Sequence, residues 1–301
     1  MIDLFKRILK ATRNPKLAML YVLNFKIFRI LPDRQFQKIE YRIKTGKKLD
    51  IDNPKLFNEK LQWLKLHDRK PEYTIMVDKY EVRKYVAEKI GEEHLIPLLG
   101  VYNSFDEIDF SKLPNQFVLK PNHTSGNVFI CKDKSKIDYV SLRKEVHAWM
   151  KRRYYWAHRE WPYKDVKPRI VCEKYLSVND SVPDDYKFMC FNGEPRIVQV
   201  HHDRFGTHTQ DNYDTSWSKS PIINTQVPNS ALLVDKPRAF EKMMYLARKL
   251  AAGTRYSRID FYEIEGRVFF GEITLYPRAG CGSLEPSEYE ILLGEWIHLG
   301  F

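Results

Sequence analysis

Asn192-Gly193 lies between two alternating runs, Asp185-Tyr186-Lys187-Phe188-Met189-Cys190-Phe191 and Glu194-Pro195-Arg196-Ile197-Val198-Gln199-Val200, and no other feature constrains the fold as strongly. An Asn-Gly step accepts the two left-handed backbone positions of a two-residue turn, and the alternation on either side suits strands with one face in a core. An antiparallel hairpin is expected here. A second pair of strand-like runs follows, opened by Arg258-Ile259-Asp260, joined around Ile264-Glu265-Gly266 and closed by Gly271-Glu272-Ile273-Thr274. This hairpin carries an arginine, two carboxylates and a hydroxyl among apolar residues, and such groups are costly to bury without partners.

The turn length decides which of them meet, because strand side chains alternate faces. A three-residue loop at 264–266 sets Arg258 opposite Glu272 and Asp260 opposite Phe270, with Arg258, Asp260, Glu272 and Thr274 on one face. A two-residue Glu265-Gly266 loop moves the register by one and sends Glu272 to the other face. A site made from these residues therefore predicts the longer loop. Oxygen donors of this kind suit Mg²⁺, which takes one or two carboxylates together with substrate phosphates. An ordinary surface ladder of ion pairs would use the same residues.

Phe117-Val118-Leu119-Lys120-Pro121-Asn122-His123-Thr124-Ser125-Gly126, followed by Asn127-Val128-Phe129-Ile130-Cys131, reads as strand, polar turn and strand. Small polar turns offer backbone N–H groups to anions, and Lys120 at the strand end supplies a charge for phosphate. The G-x-x-x-x-G-K-[ST] order of a Walker loop is absent, and an ordinary hairpin with an exposed lysine remains the alternative. In Arg169-Ile170-Val171-Cys172-Glu173-Lys174-Tyr175-Leu176 a glutamate interrupts an apolar strand just before its exit. Backbone groups of such an exit segment can read an adenine edge. Lys187 points away from the Phe188 face and could reach a phosphate.

In this order and spacing the segments FVLKPNHTSGNVFICKDK, RIVCEKYL, DYKFMCFNGEPRIVQV and RIDFYEIEGRVFFGEITLYPRAG resemble the ATP-grasp superfamily, and more narrowly its teichuronopeptide-biosynthesis (TupA-like) branch, from about Asn53 to the C-terminus. The resemblance implies an α+β chain with the ATP-grasp fold, two α/β lobes whose antiparallel sheets grip ATP, preceded by a basic helical N-terminal segment. It implies that Lys120 contacts the ATP phosphates beneath a loop of His123, Thr124, Ser125 and Gly126. Glu173, Lys174, Tyr175 and Leu176 would form the adenine hinge, with Asp185 near the ribose and Lys187 near the phosphates. Asp260, Glu272 and Thr274 would hold Mg²⁺, and Arg258 would stabilise the γ-phosphate or an acyl phosphate. Pro277 and Gly280 match the residues that close the family's metal strand. The loop departs from the family in having Gly126 as its one glycine, and Thr274 stands where many members place asparagine; a threonine hydroxyl can still accept. Arg278 is a candidate clamp for the acceptor carboxylate, since a guanidinium binds carboxylates bidentately.

The resemblance also implies a reaction in which ATP phosphorylates a carboxylate and an amine then attacks the acyl phosphate. Its barrier is mainly one of charge, which metal ions and fixed cations address without a protein nucleophile. That agrees with the lack of a Ser-His-Asp or Cys-His signature. The expected substrates are a small-molecule or glycan carboxylate and an amine, in the synthesis of a bacterial surface polysaccharide. Two other readings stay open: a glycosyltransferase of the same pathway, whose D-x-D would have to be Asp50-Ile51-Asp52, and a non-catalytic module on a membrane surface.

Charge is concentrated at the start. Residues 1–50 hold thirteen Lys/Arg against four acids, nine of the net +11. Apolar residues between those charges recur at helical spacing, so residues 1–52 are expected to form a basic amphipathic helical segment whose first 45 residues could lie on an anionic membrane surface. A helical appendage packed on the body with a solvated basic face fits equally well. The segment has neither eighteen successive apolar residues nor a signal-peptide cleavage pattern. An N-terminal α/β portion over 53–112 and the catalytic lobes over 113–301 complete the expected organisation. Cys131, Cys172, Cys190 and Cys281 show no CxxC spacing; three sit in apolar runs and read as reduced thiols of a cytoplasmic protein.

Helices are expected over Asn58 to Leu66, Tyr73 to Ile90 and Ser141 to Ala157, and a strand and turn over His94 to Tyr102. The cations and aromatics of the third helix suit nucleic acid in composition, but no recognised module accompanies them and nucleic acid is not an expected partner. His201, His202 and Asp203 resemble a metal cluster, yet neighbours on a strand face opposite ways, so a polar acceptor-site loop running to Trp217 is the expectation.

Overall fold

The computed structural model describes residues 14–178, 181–202, 206–224, 227–231 and 233–300. Helices α1 (Pro15–Leu23) and α2 (Asp33–Thr45) lead the described chain, with a 3₁₀ turn over Lys26–Ile30 between them. α2 buries Phe36, Tyr41 and Ile43 and stops at Gly46, whose left-handed backbone closes the helix. α3 (Phe57–His67), α4 (Glu72–Val77) and α5 (Val82–Ile90) follow. The single helix expected over Tyr73 to Ile90 is thus two. The Asp78 carboxylate accepts from the N–H groups of Tyr80 and Glu81 and from Asn122 Nδ2, which holds the turn between the end of one helix at Val77 and the start of the next at Val82.

Strands β1 (Leu98–Tyr102), β2 (Phe117–Pro121), β3 (Phe129–Cys131) and β4 (Ile170–Lys174) form an antiparallel sheet in the order β1-β4-β2-β3. Helix α6 (Tyr139–Lys151) covers it, packing Leu142, Val146 and Trp149 against Phe117, Leu119, Ile170 and Cys172. The helix expected to reach Ala157 ends at Lys151, and one further turn, α7 (Tyr155–His158), follows a break at Arg152.

Strands β5 (Asp185–Phe191), β6 (Glu194–His202), β7 (Thr209–Asp214), β9 (Tyr256–Ile264) and β10 (Arg267–Thr274) form a second antiparallel sheet, ordered β10-β9-β5-β6-β7. Where a polar loop was expected from His201 to Trp217, β6 continues through His202 and β7 adds an edge strand; Asp203 lies outside the described residues. The main core lies between this sheet and α3, α4, α5, α8 (Phe240–Ala251) and α9 (Glu288–Glu295). A short pair, β8 (Ile223–Asn224) with β11 (Leu284–Glu285), lies outside both sheets.

Both hairpin turns have two residues. Asn192 and Gly193 are left-handed, and so are Glu265 and Gly266, which makes Arg267 the partner of Ile264. The three-residue loop is therefore overturned. The shared face survives for another reason: Gly271 is an extra, unpaired residue between Phe270 opposite Phe261 and Glu272 opposite Asp260. This β-bulge moves the register by one and returns Glu272 to the face of Asp260, with Thr274 opposite Arg258.

Candidate active site

Strand register assembles the polar face. Glu272, Asp260, Lys187 and Gln199 are successive cross-strand partners on β10, β9, β5 and β6, so the hairpin carboxylates and a lysine form one row. Asp260 is buried, and its carboxylate accepts from Arg258 Nε and Nη2 at 2.7 Å each and from Lys187 Nζ, which also reaches Asp185. Arg258 Nη2 donates further to Glu272 Oε1 at 3.2 Å and to Thr274 Oγ1 at 3.0 Å. The structure thus brings together Arg258, Asp260, Glu272, Thr274, Asp185 and Lys187. Burial and the nearby Asp260 act to raise the Glu272 carboxyl, but Lys79, Arg258 and Lys187 outweigh them and hold it below the ordinary carboxylate range.

A cavity of about 330 Å³ lies between the two sheets. One wall carries Lys120, Glu173, Lys174, Tyr175 and Leu176, and the other Asp185, Lys187, Asp260, Gly271 and Glu272. Lys120 Nζ is 2.6 Å from Glu173 Oε2, and Arg83 Nη1 takes the other oxygen at 3.2 Å. The Glu173 carboxylate is thus occupied by two cations, and what it offers the cavity is fixed charge geometry. Ser125 and Gly126 line the cavity together with Asn127 and Val128. His123 and Thr124 instead turn inward and are buried, and burial pushes the His123 imidazole down to about 4, so it is neutral at ordinary pH.

Lys79 is a charged cavity residue that sequence reasoning missed, since it falls inside the helix expected over Tyr73 to Ile90. It stands at the break between α4 and α5, donates from Nζ to the Thr124 carbonyl at 2.5 Å, and lines the cavity facing the Glu272 charge.

A second cavity, of about 650 Å³, shares Ser125 and Glu272 with the first. It is lined by Arg258, Thr274 and Arg278 from the hairpin side, by Tyr154, Glu160 and Tyr163, and by Lys16, Leu17, Leu20 and Lys44 from the N-terminal helices. Arg278 and Ala279 both hold left-handed backbone, with φ of 52° and 57°. Gln62 Nε2 and Lys65 Nζ brace that turn by donating to the Ala279 carbonyl, both at 2.9 Å. Asp50-Ile51-Asp52 lies in neither cavity: Asp50 accepts from the N–H groups of Asp52 and Asn53, and Asp52 pairs with Arg34. Among the described residues no group of three or more His, Cys, Asp or Glu is arranged for a metal.

Two antiparallel sheets with a cavity between them, walled by lysines and a strand-borne carboxylate pair, define the ATP-grasp class. The chain belongs to the TupA-like ATP-grasp family, whose model matches residues 59–298. Similar solved structures include the D-alanine–D-alanine ligase of Bacillus anthracis, with 17% identity and a TM-score of 0.43, covering 74% of this chain and 66% of that one. The corresponding ligase of Helicobacter pylori has 14% identity and a TM-score of 0.44, with coverages of 82% and 68%. The ATP-grasp ligase PsnB, complexed with a minimal precursor, has 10% identity and a TM-score of 0.42, with coverages of 75% and 61%. The chain thus spans just under two thirds of the Bacillus anthracis ligase. No curated protein is matched by the sequence.

Proposed function

We propose that this protein is an ATP- and Mg²⁺-dependent carboxylate–amine ligase acting through an acyl phosphate, in the synthesis or modification of a bacterial surface polysaccharide. The observation that carries the reading is the row Glu272–Asp260–Lys187 facing Lys120 and Lys79 across one cavity. Carboxylates with adjoining cations are what a metal–triphosphate ligand requires. Tyr175 and Leu176 at the exit of β4 take the adenine, Asp185 the ribose, and Lys120, Lys187 and the Ser125–Gly126 loop the phosphates. Asp260, Glu272 and the Thr274 hydroxyl are hard oxygen donors that would hold Mg²⁺ in exchange for contacts they now make with Arg258 and Lys187. Bound there, the ion would draw charge from the transferring phosphoryl group.

Arg258, already fixed by Asp260 and Glu272, points its guanidinium to where the two cavities meet. Arg278 in the second cavity binds the acceptor carboxylate. A glycosyltransferase has less support, since its D-x-D is consumed in a turn and an ion pair away from both cavities. Calorimetric titration of Mg²⁺-ATP into the wild-type protein and Glu272→Gln, with UDP-sugars as competing ligands, tests the reading. Binding that weakens at least tenfold in a variant that still unfolds cooperatively is expected. Equal affinity in both proteins, or binding of a UDP-sugar in place of ATP, would overturn it.

A further inference from the structure

The most concentrated apolar exposure in the described molecule lies on α1 and the turn after it. Of the eighteen exposed large hydrophobic residues, Met19, Tyr21, Val22, Phe25, Ile27 and Ile30 fall within twelve positions, and Phe25, Ile27 and Ile30 are 60%, 68% and 82% exposed. Single exposed apolar side chains are ordinary; a run of them on one short element marks an interaction surface. The inward face of the same element is already used: Leu23 is buried against Phe36 and Ile43, and Leu20 packs beside them. The outward residues therefore have no place in the core.

Charge identifies what covers them. From Leu4 to Pro32 the sequence has no Asp or Glu and has seven cations, Lys6, Arg7, Lys10, Arg13, Lys16, Lys26 and Arg29. Lys26 and Arg29 alternate with Phe25, Ile27 and Ile30 on the 3₁₀ turn, and Arg29 lies over the Trp156 ring. Exposed apolar side chains with Lys26 and Arg29 among them, in a stretch of sequence that carries cations and no acids, match an anionic lipid surface; a protein partner's apolar patch would not ask for so one-sided a charge.

We propose that α1 and the Lys26–Ile30 turn seat this protein on an anionic membrane, with Phe25, Ile27 and Ile30 entering the lipid and Lys16, Lys26 and Arg29 at headgroup level. The seat also concerns the acceptor cavity, because Lys16, Leu17 and Leu20 of the same helix form its wall. A cavity walled by the membrane-seated helix receives an acceptor held at the lipid surface. That last step rests on the ligase reading; the lipid contact does not.

Flotation of the full chain with phosphatidylcholine vesicles, with and without 30% phosphatidylglycerol, tests the proposal. Wild-type protein is expected to float with the anionic vesicles alone and to detach as salt rises. Ile27→Ser/Ile30→Ser should bind at least tenfold more weakly with an unchanged unfolding midpoint, since both side chains are solvent-exposed already. Absence of binding to anionic vesicles, or undiminished binding by the double variant, would overturn it. So would self-association abolished by the same substitutions without vesicle binding, which would make a second copy the occupant. Mg²⁺-ATP calorimetry on the same proteins separates the two readings: loss of ATP binding with vesicle binding intact would remove the ligase reading and leave the membrane seat.

Discussion

Glu272 stands directly across the ladder from Asp260, although the two-residue turn at the hairpin tip would by itself place it across from the core residue Ile259. The extra residue Gly271 absorbs the difference by bulging out of the ladder.

Gly271→Ala is expected to lower stability by about 1–3 kcal/mol, because an added Cβ would lie 3.1 Å from the Asp260 carbonyl oxygen and 3.2 Å from Tyr262 Cε2. Deleting residue 271 should spare the site, since the shortened strand still sets Glu272 opposite Asp260 without a bulge. Urea unfolding together with Mg²⁺-ATP calorimetry checks both variants. An alanine variant as stable as the parent, or a deletion that abolishes ATP binding, would refute this account of the bulge.

The left-handed turn presenting Arg278 gives a second expectation. Gln62 Nε2 donates to the carbonyls of Ala279 and Gly280 at 2.9 and 2.8 Å. Gln62→Leu should cost about 1–3 kcal/mol for each carbonyl it leaves unsatisfied, softened at Ala279 where Lys65 still donates. Gly280→Ala should be at least as harmful: its φ is +68°, and the added Cβ would meet Gln62 Nε2 at 2.9 Å. Ala279→Gly, which relieves a left-handed alanine, should be neutral or stabilising by about 1 kcal/mol. Shifts in the urea midpoint read all three, and equal midpoints for Gly280→Ala and Ala279→Gly would refute the assignment of strain.

Glu160 predicts how stability depends on pH. Burial pushes its carboxyl up to about 7 from an ordinary 4.5, against the opposing pull of Lys65 and Lys44. The folded protein then keeps a proton that the unfolded chain releases above pH 4.5. Stability from this group is present below that pH and is lost as pH rises through about 7. Glu40 acts in the opposite sense. Burial tends to raise it, but His158, Lys44 and Lys65 outweigh that and hold it at about 2, so its contribution is present above pH 4.5 and lost as pH falls toward 2. Glutamine cannot ionise, so the stability of Glu160→Gln relative to wild type should rise by about 2–3 kcal/mol between pH 5 and pH 8. Denaturation at those two pH values measures the gap, and a gap that stays constant would show that Glu160 titrates normally.

Much of the site was legible because its signals are local. Asn192-Gly193 marks a two-residue turn through its tolerance of left-handed backbone, and that turn occurs, whereas at 264–266 the expected three-residue loop is a two-residue turn at Glu265-Gly266. Alternation along 185–191 and 258–264 separated Lys187, Arg258 and Asp260 from the core residues Phe188, Ile259 and Phe261. Residue chemistry picked out an arginine, two carboxylates and a hydroxyl on one hairpin, with a surface ladder of ion pairs as the other reading. Lys79 was not legible, because the helix break that turns it into the cavity is held by Asp78 and Asn122, forty-four positions apart. His123 was misleading, since nothing in a polar turn says which side chains fold beneath it.

The sequence by itself determined the paired strands around Asn192-Gly193 and those at 258–274, and the kinds of charge they carry, because backbone preference and side-chain alternation are settled among near neighbours. Tertiary structure decided which of those charges meet. The bulge at Gly271, the pairing of Lys120 with Glu173 across two strands, and the N-terminal helices that wall the second cavity all depend on packing between segments distant in the chain. A one-residue change of register reverses a strand's faces at no cost to its local preferences, so only the packed core can choose between the two.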